Sequence, residues 1–107
     1  MNRFDDLLQR VSLLNAQLDP LRDRIGSEAR MALHRQLWSI VEELNEEHAL
    51  GLDNNALDLT VEGKRLAVRY FSGVGGSADK EVTLLIDRSH GVERHTKDLG
   101  TGNVSIT

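Results

Sequence analysis

Apolar residues recur at Phe4, Leu7, Val11, Leu14, Leu18, Leu21 and Ile25, at intervals that alternate between three and four. This is the a/d spacing of helices that pack on other helices. One amphipathic helix cannot bury such a seam alone, so it requires a neighbouring helix or a second copy of the chain. Asp19-Pro20 reads as a cap followed by a first helical residue, which predicts a first helix ending near Leu18. The seam keeps its phase through Leu21 and Ile25, which fits a helix kinked at Pro20 equally well. The seam has more positions than one flank of a single partner helix covers. The expectation is therefore a homodimer that self-associates through Phe4, Leu7, Val11, Leu14 and Leu18.

Gly26-Ser27 is the next punctuation, with Ser27 as N-cap of a second helix running to about Leu50. Leu33, Leu37, Ile40 and Leu44 form its stripe, flanked by His34, Trp38, Val41 and His48. That arc is wider than a coiled-coil seam and predicts contact with two layers, the first helix and a sheet. Gly51 and Leu52 suit the positions that stop such a helix.

From residue 56 the period changes to two. Leu57, Leu59 and Val61 alternate with polar residues, and Gly63-Lys64 makes a two-residue turn of the II′ kind. This turn sets Val61 opposite Leu66, Leu59 opposite Val68 and Leu57 opposite Tyr70. The other face then pairs Glu62 with Arg65 and Asp58 with Arg69, opposite in sign both times. Residues 72–79 read as a flexible glycine-rich connection, 81–87 as a strand, 88–91 as a turn and 92–96 as a weaker edge strand. Residues 99–103 form another loop, and 104–107 add a last short strand. Helices first and strands afterwards predict one α+β domain over 1–107, with a helical half (about 3–50) and a β half (about 56–107). In this arrangement two N-terminal helices pack on one face of an antiparallel β-meander of four to five strands.

Composition narrows the function classes. The chain of 107 residues is 39% hydrophobic and 28% charged, which is a folded rather than a disordered composition. A formal charge of −4 gives no bulk attraction to nucleic acid or anionic lipid. The absence of cysteine removes disulfides, thiolate metal sites and thiol catalysis, and fits a reducing, cytoplasmic setting. No apolar run is long enough for a secretory leader or a membrane span.

The candidate chemistry is sparse. Gly73-Val74-Gly75-Gly76 lacks the lysine and the following helix of a phosphate loop, so it reads as a hairpin connection. His34 and His48 lie too far apart on one helix to share a metal. His90 and His95 straddle a turn without a carboxylate set of ligand spacing. No nucleophile, base and acid can be assigned together, and neither a metal nor another cofactor is expected. Arg88, Arg94, His95 and Lys97 make 88–97 the one locally basic stretch, a candidate anion site with the glycine loop as its lid. It lacks the aromatic residues that stack on bases, so nucleic acid is not the expected partner.

Two surfaces point to protein partners. Glu42, Glu43, Glu46 and Glu47 crowd the end of the second helix, where the macrodipole disfavours negative charge. A sequence that keeps them there suggests a basic partner. Phe71 and Leu85, with Ala67, project from the face opposite Tyr70 and Leu84, and form an apolar patch if nothing covers them. The small acidic α+β chain is loosely similar to type III secretion chaperones, which are dimeric binding proteins. Those place a helix between strands, whereas the strands here run consecutively, so no family is assigned. The reading is a non-enzymatic interaction protein, such as an adaptor, an inhibitor, an immunity-type protein or a secretion-chaperone-like protein. The alternative is a phosphate- or small-ligand-binding regulator built on 88–97.

Overall fold

Ser27 starts the longer helix as the sequence requires. Its Oγ accepts from the Arg30 backbone N–H at 3.3 Å, satisfying one of the donors that a helix start leaves free. A computed structural model describes residues 3–52, 56–74, 77–89 and 91–107. In order along the chain these form α1 (Arg3–Leu18), a 3₁₀ turn (Asp19–Leu21), α2 (Glu28–His48), β1 (Ala56–Glu62), β2 (Arg65–Val74), β3 (Ser77–Ile86), β4 (Val92–Asp98) and β5 (Val104–Ile106). The class is α+β. The chain divides after Leu50 into a helical unit and a β unit.

In the helical unit, α1 contacts α2. Val11, Leu14 and Leu18 are buried on α1, and Leu33, Leu37, Ile40, Val41 and Leu44 on α2. The apolar seam ends sooner than its spacing predicts. Pro20 lacks the N–H that a continuing α-helix needs, and the turn after Leu18 tightens to 3₁₀. Fewer residues per turn shift the angular phase, and Gly26 at φ +84° then redirects the chain. Ile25, in phase on paper, is 92% exposed.

The far end of α2 also differs from expectation. The helix stops at His48, and Ala49 takes the left-handed conformation at φ 50°, ahead of Gly51 at φ 69°. The Leu50 N–H closes the end on the Asn45 carbonyl at 3.2 Å. Alanine is strained at a position that glycine occupies freely. Ala49→Gly is expected to raise stability by about 0.5–1 kcal/mol in denaturant unfolding, because relief of that strain outweighs the added freedom of the unfolded chain.

In the β unit the five strands pair consecutively, β1-β2-β3-β4-β5, all antiparallel. Gly63 sits at φ +62°, as the first turn residue of a II′ hairpin requires. The register it imposes is the expected one over most of its length, with Val61 opposite Leu66, Leu59 opposite Val68, Glu62 opposite Arg65 and Asp58 opposite Arg69. Tyr70 is the exception. It pairs with Ala56, because a bulge makes Leu57 an extra residue on β1. A second difference lies further along, where β2 continues to Val74 and β3 begins at Ser77. Most of the expected 72–79 connection is thus strand, with a register shift beyond Ser72, and Gly75 and Gly76 fall outside the described residues.

Alternation carries Leu59, Leu66, Val68, Val82, Leu84 and Ile86 to one face of the sheet, where all are buried. Val68 retains no exposure at all, so Val68→Asp leaves an unpaired charge in an apolar site. The expected loss is more than about 4 kcal/mol, read as an unfolded circular-dichroism spectrum. Its neighbour Arg69 lies on the opposite face, and Arg69→Ala is expected to change stability by only about 0–1 kcal/mol. Comparable losses from both would mean the faces are reversed.

Candidate functional site

On α2, residues 39, 42, 43 and 46 follow the helical i, i+3, i+4, i+7 spacing and so share one face. Ser39, Glu42, Glu43, Asn45 and Glu46 line a surface depression of about 360 Å³. Three of the four carboxylates that the sequence singles out are therefore brought together, and Glu47 does not line the depression. The Trp38 indole N–H donates to Glu42 Oε1 at 2.8 Å, fixing that carboxylate from one turn back. Glu43 lies 3.9 Å from the Arg3 guanidinium in an exposed pair, which contributes little to stability. His48 places the one basic side chain in the last turn.

The basic segment does not assemble as an anion site. Strand alternation on β4 puts Arg94, opposite Leu84, on one face, and His95 and Lys97, opposite Thr83 and Glu81, on the other. Arg88 lies in the preceding turn, and His90 is outside the described residues. His95 is also committed to an acid, with Nε2 2.6 Å from Glu93 Oε1. Glu93 Oε2 in turn accepts from Arg65 at 3.3 Å. Among the described residues, no group of three or more His, Cys, Asp or Glu side chains is arranged to hold a metal.

This Arg65–Glu93–His95 chain corrects two expectations. Arg65 sits opposite Glu62 in the ladder, yet its guanidinium reaches β4 instead. In doing so the pair crosses β3 above Leu85, and Leu85 shares a depression of about 300 Å³ with Arg65, Asp87, Val92 and Glu93. The alkyl stems shield what the charged heads leave behind. Leu85 is only 4% exposed and Ala67 is equally buried, so the apolar patch expected with Phe71 does not form. Phe71 alone stays exposed. On the same face Arg69 bridges Asp58 at 3.0 Å and Glu81 at 3.4 Å.

The self-association seam is likewise altered. Val11, Leu14 and Leu18 are buried within one chain and in this fold offer no surface to a second copy. Phe4 and Leu7 are half-buried.

Two turns carry aspartates that the sequence reading passed over. Asp87 Oδ1 accepts from the Ser89 hydroxyl at 2.7 Å and from the N–H groups of Ser89 and Gly91 at 2.9 Å each. Asp98 Oδ1 accepts from the N–H groups of Gly100 at 2.8 Å and Thr101 at 3.1 Å. The signal for both was present, because Asp followed by Ser or Gly two residues on is the usual Asx turn. The Ser89 hydroxyl, then the Gly91 N–H, hold the Asp87 carboxyl below its ordinary value, and the Thr101 and Gly100 N–H groups do the same for Asp98. A carboxyl lowered on folding stabilises the fold above its unfolded value and loses that contribution as pH falls through the lowered one. Carbon-detected NMR titration is expected to place both midpoints below 3.8. Amide protection at Gly100 and Thr101 should fall over the same acidic range, and midpoints at or above 3.8 would exclude these caps in solution.

Compared with known proteins, the chain matches no family model, no curated protein and no solved structure. No helix among the described residues is long and apolar enough to cross a membrane.

Proposed function

We propose that this chain is a non-catalytic protein-binding module, an adaptor or inhibitor that acts by occupying a surface of another protein. The observation that carries this reading is the acidic face of α2. Ser39, Glu42, Glu43 and Glu46 lie along one side of the helix around the depression, while Leu37, Ile40, Val41 and Leu44 are buried. Negative charge in the last turn of a helix, where Glu46 and Glu47 lie, is unfavourable by roughly 0.3–1 kcal/mol per group. Its retention there is explained if a basic surface meets it. Electrostatic contacts of this kind set on-rate and partner choice more than total affinity, and weaken as salt screens them.

The test compares three baits in extracts of the native host: the wild-type chain, a variant with Glu42, Glu43, Glu46 and Glu47 changed to Gln, and a variant with Arg88, Arg94 and Lys97 changed to Gln. The first substitution set preserves or slightly raises stability, since glutamine at 42 still accepts from Trp38 while the unfavourable charges are removed. Partner retention is expected to be salt-sensitive for the wild-type chain, unchanged in the basic-segment variant and lost in the glutamine variant. Retention lost only from the basic-segment variant would reject the acidic face.

A further inference from the structure

We draw no further inference here: the strongest candidate, the exposed apolar surface that Val104 and Ile106 form beside Lys97 and His95 on one face of β4 and β5, is an unpartnered sheet face, and nothing in the structure shows what covers it.

Discussion

The Gly63-Lys64 turn sets the meaning of every side chain in the β unit. Glycine at φ +62° closes β1 onto β2 with two residues, and that loop length leaves one register in which apolar side chains share a face. Each later strand takes its phase from the one before, since the sheet is built by neighbours in sequence. A slip of one residue at this hairpin would turn one strand over against the other, parting Leu59 from Leu66 and Val68 and bringing either Asp58 or Arg69 to the apolar face. The opposed charges of Asp58 and Arg69 penalise that slip from the other direction, since neither tolerates burial unpaired.

What was legible in the sequence were the features fixed by one or two adjacent residues. The Ser27 cap and the β1–β2 turn each depend on local backbone chemistry, and each stands where the sequence puts it, whereas Pro20 left open whether α1 ends or kinks there and the structure ends it at Leu18. What was missed depends on distance. The bulge at Leu57 and the long β2–β3 hairpin arise from pairing with a partner strand, which periodicity within one strand does not report. Leu85 looked exposed because its shield, the Arg65–Glu93 pair, comes from two strands that do not adjoin each other. Extending the register arithmetic across β3 would have found it. The basic stretch failed for a simpler reason. Charges adjacent in sequence on a strand point to opposite faces, so Arg94 and His95 are neighbours on paper only.

The candidate surfaces illustrate the same divide. Helical spacing gathers residues three and four apart, so the glutamates of α2 could be placed on a common face from the sequence. In the β unit charged side chains pair in two groups, Asp58, Arg69 and Glu81 in one and Arg65, Glu93 and His95 in the other. On α2, Glu42, Glu43, Glu46 and Glu47 are all exposed.

A sheet whose strands pair only with their immediate neighbours has a consequence for how the chain reaches its fold. Every ladder closes a short loop, so little chain entropy is lost before the first contacts form. Topologies of this kind have low contact order and fold fast for β structure. The sheet can also grow in the direction of synthesis, β1 with β2 first and each new strand docking on an edge already present. At every stage the newest strand forms an edge of the sheet, and among the described residues β5 is the last to do so.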